Sequence, residues 1–209
     1  MKYEKIPESV ITRLSYYLRQ LESLEEKGIQ KISSNEFSKR IGINSAQLRK
    51  DLSYFGDFGK RGSGYEVNKL KKIISNLLGI EKQWNVAIAG AGNLGQALVS
   101  YPGFEMEGFK IKAVFDNDIR KIGWEIEGVT VYDVERMAEI IKEKEIEIGI
   151  ITVPSYAAQE IADIFIACDI KAILNFASTK IIAPSDVKIK NVDLSIELES
   201  LSFYLYNKL

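Results

Sequence analysis

The chain has 209 residues, 46% of them hydrophobic and 27% charged, the balance of a globular protein. No apolar run approaches the ~20 residues that cross a bilayer, no secretory signal opens the chain, and the single Cys168 cannot form an internal disulfide, so a cytoplasmic protein is expected. Histidine is absent, which removes the commonest general base and metal ligand, so neither a metal site nor a catalytic residue is predicted.

The net charge of −1 conceals a division. Residues 1–80 hold 15 Lys and Arg against 9 Asp and Glu, and the rest of the chain holds 13 against 20. A basic segment joined to an acidic one predicts a polyanionic partner for the first. Val10, Leu14, Leu18, Leu21 and Leu24 recur at spacings of three and four, which predicts one amphipathic helix over 8–27, ended by Gly28. Ser33 and Glu36 make a capping-box pair before a short helix with Phe37 and Ile41 inward. Gly42 turns the chain. Asn44 then caps a further helix whose Leu48, Leu52 and Phe55 share a face. Two short helices joined through a glycine turn predict a helix-turn-helix.

The outward face of its second helix is expected to carry Gln47, Arg49, Lys50, Ser53 and Tyr54. Phe58 and Tyr65 are expected to pair as the ends of a hairpin. Its glycine-rich tip holds Lys60 and Arg61, as the wing of a winged helix would. Residues 39–72 hold nine Lys and Arg against three Asp and Glu, so the basic charge gathers on these elements. The candidate DNA-binding residues are therefore Ser45, Gln47, Arg49, Lys50, Ser53, Tyr54, Lys60 and Arg61. A helix over 68–79 closes a first domain at about residue 80, before Trp84.

The apolar run Trp84–Ala89 reads as a buried strand and leads into Gly90-Ala91-Gly92-Asn93-Leu94-Gly95. A helix over 93–101 follows, with Leu94, Leu98 and Val99 on one side, then a strand over 110–115 that ends at Asp116. Strand, G-x-G-x-x-G, helix, strand and acid thus stand in the order a dinucleotide site requires. The first glycine allows a tight turn, the second lets backbone approach the pyrophosphate, and the third lets helix and strand pack closely. A carboxylate at 116 would bind the adenosine ribose and repel a 2′-phosphate, favouring NAD(H) over NADP(H), with Arg120 and Lys121 close enough to bear on that choice.

Further strands near 129–132, over 147–153 and over 172–176 alternate with helices over 133–145 and 156–168. The fold class is α/β, a winged-helix domain followed by a Rossmann-type doubly wound parallel sheet. The ligand should lie at the C-terminal strand ends, near Gly90–Gly95, Asp116, Thr152-Val153-Pro154 and Asn175-Phe176-Ala177-Ser178. In the tail 194–209, Leu194, Leu198, Leu201 and Leu205 form one stripe, and Ile196, Phe203, Tyr204 and Tyr206 lie off it. A helix apolar on more than one side needs two surfaces. Either it packs on its own sheet or a second subunit covers it, which would make it a dimerisation helix.

The whole chain resembles the Rex family, redox-sensing transcriptional repressors of bacteria. The resemblance rests on Thr12-Arg13-Leu14 with Tyr17-Leu18-Arg19, Leu48-Arg49-Lys50-Asp51-Leu52-Ser53-Tyr54-Phe55-Gly56, Arg61-Gly62-Ser63-Gly64-Tyr65, Gly90–Gly95, Tyr101-Pro102-Gly103-Phe104, Phe115-Asp116, Thr152-Val153-Pro154 and Leu174-Asn175-Phe176-Ala177. It implies a winged-helix DNA-binding domain over 1–80, an NAD(H) domain over 81–193, and a homodimer whose C-terminal helix, 194–209, reaches across to the partner. It further implies repression of an inverted-repeat operator, relieved by NADH. Tyr101, Phe104, Pro154 and Phe176, mostly apolar, are the residues expected around the nicotinamide. The resemblance also suggests that Asp193 pairs with Arg19 when the ring is not seated.

One competing reading is a CoA- or nucleotide-binding structural module, which the DNA-like half argues against; the other is an NAD-dependent oxidoreductase with a basic accessory domain. It needs a proton donor, and without histidine a Tyr-x-x-x-Lys pair would have to serve. Two occur, Tyr65/Lys69 in the DNA-like half and Tyr204/Lys208 at the extreme C-terminus, neither where such reductases place theirs.

Overall fold

The structure, a computed structural model, describes residues 6–56, 58 and 64–208. The chain divides into two compact units between Lys82 and Gln83.

The first unit is built on α1 (Glu8–Glu26), whose Val10, Leu14, Tyr17, Leu18, Leu21 and Leu24 are all buried. A short strand β1 (Lys31–Ile32) leads to α2 (Ser34–Ile41) and α3 (Ser45–Ser53). The Ser33 hydroxyl accepts the N–H of Glu36 at 3.1 Å, and Asn44 Oδ1 accepts that of Gln47 at 2.7 Å. Each satisfies one of the N–H groups that a helix start leaves unpaired. Gly42 ends α2 at φ 77°, a left-handed turn. Then come β2 (Tyr65–Glu66) and α4 (Val67–Leu78). Phe37, Leu48, Leu52, Tyr65, Leu70 and Ile74 join the α1 stripe in one core.

The hairpin expected between Phe58 and Tyr65 is not formed by those two residues. Tyr65 pairs with Ile32 and Glu66 with Lys31, antiparallel. A Cβ on Gly64 would lie 2.6 Å from the Ile32 carbonyl oxygen, so glycine is what lets the returning chain lie against β1. The tip with Lys60 and Arg61 lies outside the described residues.

The second unit holds β3 (Trp84–Ala89), α5 (Asn93–Val99), α6 (Pro102–Met106), β4 (Phe109–Asp116), β5 (Glu125–Ile126) and β6 (Val129–Asp133). A 3-10 turn (Val134–Arg136) precedes α7 (Met137–Glu143), β7 (Ile148–Ile151), α8 (Ala158–Ala167), β8 (Ala172–Asn175), β9 (Lys188–Asn191) and α9 (Leu194–Asn207). The sheet runs β5-β6-β4-β3-β7-β8-β9, with only the β5–β6 pair antiparallel. Numbered among themselves, the six parallel strands stand in the order 3-2-1-4-5-6 of a dinucleotide-binding sheet.

Strand alternation divides the core. Ala87 and Ala89 point to the face covered by α7 and α8, with Met137, Ile140 and Phe165, and Val86 and Ile88 to the opposite face, with Leu98 and Phe104. Gly149 in β7 makes room for Phe165, whose ring would stand 2.8 Å from a Cβ there.

Three elements differ from expectation. The helix expected over 93–101 ends at Val99, because Pro102 opens α6 and the residue before a proline is pushed to extended backbone, as Tyr101 is. The helix expected over 133–145 starts with the 3-10 turn, where Asp133 Oδ1 accepts the Glu135 N–H. Strand β9 was not foreseen. It is a sheet edge with only Ile189 turned partly inward, so it lacks an apolar run.

No residue of α9 is buried in the single chain, and Leu198 and Tyr206 are 67% and 88% exposed. That removes the alternative in which the tail packs on its own sheet. No helix among the described residues is long and apolar enough to cross a membrane.

Candidate functional site

Strands β3 and β7 diverge in connection at the centre of the sheet, which opens a crevice beyond their C-terminal ends. The glycine loop follows β3 there. Gly90 has φ 108°, and a Cβ on it would lie 2.8 Å from Thr152 Oγ1. A Cβ on Gly95 would lie 1.9 Å from the Gly90 carbonyl oxygen, so the third glycine is what brings α5 against the loop. Gly92, the N-cap of α5, has open space around it, and no side chain caps that first turn, where an anion is favoured. Asn93 and Leu94 are exposed. Leu94, 38% exposed, was expected on the inner side; the buried Gly95 takes that place, with Leu98 and Val99 beyond it.

Asp116 ends β4 and ties down the glycine loop. Its Oδ2 accepts the Ala91 N–H at 2.7 Å and Lys121 Nζ at 3.0 Å, and its Oδ1 accepts the Asp118 N–H at 2.8 Å. Burial opposes its ionisation, but the N–H groups of Asp118 and Ala91 and the Lys121 ammonium outweigh it and hold the carboxyl below its ordinary range. Arg120 forks onto Asp118 at 2.9 and 2.8 Å and draws that carboxyl down to about 2. Both cations that the sequence leaves available to a 2′-phosphate thus already face carboxylates.

Thr152 Oγ1 lies 3.0 and 2.9 Å from the carbonyls of Ala89 and Gly90. Its hydroxyl therefore shapes the loop's backbone. Tyr101 is 56% exposed, and its ring meets Phe104 edge-on at 5.2 Å over Gly103. Pro154 is exposed after β7, and Phe176 is half-buried after β8, its N–H donating to the Ile151 carbonyl at 2.9 Å. The candidates from β3, β4, β7 and β8 thus lie at the same end of the sheet.

On α3, Arg49, Lys50, Ser53 and Tyr54 are exposed and Ser45 is half-buried. Gln47, expected outward, turns its amide inward, donating to Asp51 Oδ1 at 2.6 Å. Asp51 is fully buried. Arg13 Nε and Nη2 donate to its two oxygens at 2.6 and 2.9 Å, and the Tyr17 hydroxyl at 2.5 Å. Burial works against the Asp51 carboxylate, yet Arg13, Tyr17 and Gln47 together hold it below its ordinary range. The hydrogen bond to Asp51 raises the Arg13 value, and burial, with the hydrogen bond to Asp51, raises that of Tyr17.

Two family models match the chain, a CoA binding domain over residues 81–179 and a putative DNA-binding protein N-terminus over 5–53. A redox-sensing transcriptional repressor Rex of Pelotomaculum thermopropionicum is 50% identical, over 100% of this chain and 98% of its own. The chain belongs to the Rex family.

Among solved Rex-family structures, RSP in complex with β-NAD+ and operator DNA superposes with a TM-score of 0.93 at 41% identity, over 97% of this chain and 94% of that one. RSP in complex with β-NADH gives 0.89 at 39% identity, over 98% and 96%. The Rex relatives are named redox-sensing transcriptional repressors. The Tyr-x-x-x-Lys residues accord with that: Tyr65 is a buried core residue of the first unit, and Tyr204 lies on the exposed α9.

One buried polar residue of this Rex-family chain had no role in the sequence analysis, and another had only a place near the ligand. Asp51 was legible as a carboxylate three residues after Leu48 on the inward face of α3, opposite an Arg13–Tyr17 pair spaced four apart on α1. Asn175 ends β8 fully buried, and its amide organises the Phe176 loop. The sequence places Asn175 near the ligand but carries no signal of its buried contacts. Of the two residues expected to pair as a switch, Arg19 lies on α1 within 4.0 Å of Glu22, and Asp193 caps α9 in the other unit.

Proposed function

We propose that this Rex-family chain works in the cytoplasm as a homodimer that binds an inverted-repeat operator and is released when NADH displaces NAD+. The observation that carries the reading is the likeness to RSP, solved with operator DNA and β-NAD+ and separately with β-NADH, at TM-scores of 0.93 and 0.89 over nearly the whole chain.

In this reading residues 1–80 bind DNA, 81–193 bind the cofactor, and 194–209 join the subunits. Helix α3 enters the major groove with Arg49 and Lys50, one reading a base edge and the other a phosphate, supported by Ser45, Ser53 and Tyr54. Gln47 serves from within, by orienting Asp51. Lys60 and Arg61 reach the narrow minor groove of an A·T-rich flank. Gly90, Ala91, Gly92, Asn93, Leu94 and Gly95 cradle the pyrophosphate. Asp116 takes the adenosine ribose, exchanging its Lys121 contact for the sugar hydroxyls and excluding a 2′-phosphate. Tyr101, Phe104, Pro154 and Phe176 surround the nicotinamide, with Thr152 holding the loop. A low-dielectric pocket disfavours the cationic ring of NAD+, so NADH binds more tightly. Seating it frees Asp193 from Arg19 and moves α9.

The test is operator affinity against the NADH/NAD+ ratio at fixed total cofactor, with NADH absorbance followed in parallel. Affinity should fall as NADH rises while the absorbance stays constant. Equal release by NAD+, or steady oxidation of NADH, would sink the proposal.

A further inference from the structure

The turn after β4 begins at the carboxylate proposed to take the adenosine ribose, and its own residues close it. Asp116 Oδ1 accepts the Asp118 N–H at 2.8 Å. The Asp118 carbonyl accepts the N–H groups of Lys121 at 2.8 Å and Ile122 at 3.2 Å. Both carboxylate oxygens of Asp118 face Arg120. Oδ1 accepts the Arg120 backbone N–H at 3.0 Å and Nε at 2.9 Å, and Oδ2 accepts Nη2 at 2.8 Å. These bonds draw the Asp118 carboxyl down to about 2, so it is fully charged at neutral pH. The Arg120 side chain stands 84% exposed, so a ligand arriving from solvent can reach it, while that of Asp118 is 23% exposed.

A surface turn accounts for part of this. The Asx turn needs only the bond from the Asp118 N–H to Asp116, and an exposed ion pair adds little to stability. Neither requires a guanidinium fork closed on a carboxylate two residues beyond the ribose position. The consequence of that fork is electrostatic. Arginine recognises phosphate through two parallel N–H bonds, the same two that Arg120 gives to Asp118. In the turn, Asp116 and Asp118 balance Arg120 and Lys121, two carboxylates against two cations. Without the Asp118 charge the sum becomes +1 and the fork is open, which suits an anion.

We propose that Asp118 is a specificity-determining residue of the cofactor site: by holding Arg120 it withholds from a 2′-phosphate the arginine that would otherwise bind it. NADP(H) is then rejected by two carboxylates, Asp116 by direct repulsion and Asp118 by capture. The inference rests on the NAD(H) reading above and names the residue that completes its selectivity. Arg120 is the side chain that Asp118 keeps out of the site.

The experiment uses the full chain with Asp118→Asn and with the double substitution Asp118→Asn, Arg120→Ala. Asparagine keeps an oxygen to accept the Arg120 backbone N–H and loses only the charge. Affinities for NADH and for NADPH are measured by calorimetry without DNA at low salt. The parent should bind NADH far more tightly than NADPH. Asp118→Asn should tighten NADPH about tenfold and leave NADH within about twofold of the parent. The double variant, which restores the charge balance and has no fork, should return NADPH to within about twofold of the parent. Unchanged NADPH affinity in Asp118→Asn overturns the inference. So does a gain that survives in the double variant, because Arg120 would then have no part in it. Equal loss of both cofactors in Asp118→Asn also overturns it, because Asp118 would then merely build the turn. A parent that binds NADPH as tightly as NADH overturns the inference and leaves the redox-sensing reading standing. A parent that binds neither brings down that reading, and this inference with it.

Discussion

Three consecutive residues of α3 have opposite fates. Arg49 and Lys50 are exposed, and Asp51 is fully buried against Arg13 and Tyr17, because each residue turns about 100° around the helix. Breaking a buried ion pair from one side costs about 3–5 kcal/mol, since the other charge is left uncompensated. Arg13 is a quarter exposed, so water recovers part of that. The Asp51 carboxyl is held below its ordinary 3.8, so its contribution is complete above that pH and is lost as pH falls through the lower folded value. Asp51→Asn should therefore speed amide exchange in α3 by a constant factor from neutral pH down to about 4, and the gap from wild type should close in stronger acid. A gap that does not depend on pH would remove the ion pair from the explanation. In the other unit, Gly95→Ala would place a methyl 1.9 Å from the Gly90 carbonyl oxygen. Backbone cannot yield cheaply there, and overpacking of this kind costs about 1–3 kcal/mol. Calorimetry should show NAD(H) affinity weakened by a matching factor, with cofactor-free operator binding retained.

At the scale of elements, α3 depends on its start as well as on its outward face. Asn44 satisfies the Gln47 N–H at 2.7 Å, and the same residue, Gln47, reaches inward to Asp51. Asn44→Ala should lower the thermal stability of the first unit by about 1 kcal/mol, and Asn44→Ser should restore it. Substituting the exposed cations separates their roles. Alanine at one of Arg49 and Lys50 should relax sequence preference by about 1–3 kcal/mol at one base pair. Alanine at the other should weaken all sequences alike and flatten the salt dependence. Binding titrations on operator and on scrambled DNA at several salt concentrations read both effects. Wild-type behaviour from both variants would take α3 out of the groove.

For the whole molecule, α9 is the element a single chain leaves unsatisfied. Leu194, Ile196, Leu198, Leu201, Phe203, Tyr204, Leu205 and Tyr206 are all more than half exposed. An apolar surface of that extent, at the end of a helix joined to a complete sheet, marks an association surface. Two-fold pairing would present two α3 helices to half-sites about 34–36 Å apart or a multiple of that. Deleting 194–209 should leave monomers or aggregates in light scattering, with operator affinity reduced to that of one half-site. A stable dimer lacking the tail would show that another surface joins the subunits.

The amino-acid sequence by itself determined the elements whose signal is local. The 3.6-residue period of α1, the caps at Ser33 and Asn44, the left-handed Gly42 and Gly79, the glycine loop and the apolar strands β3, β7 and β8 all follow from neighbours a few residues away. The candidate residues from Gly90 to Gly95, with Asp116, owe their place in the loop and at the strand end to the same kind of signal: their spacing encodes one turn and one strand end. Tertiary structure alone decided the partners. Tyr65 could have paired with Phe58, yet it lies on Ile32 because β1 offers the open backbone groups next to it. Gln47 and Asp51 sit on a helix that is polar at both positions, and only the arrival of Arg13 and Tyr17 from α1, 38 and 34 residues away, makes one of them a buried hub. Strand β9 exists because β8 presents an edge, and Asn175 reaches Asn191 because that strand lies beside it. A hydrophobic period is a property of one segment, whereas a buried polar group is stable only where a distant segment supplies its partner.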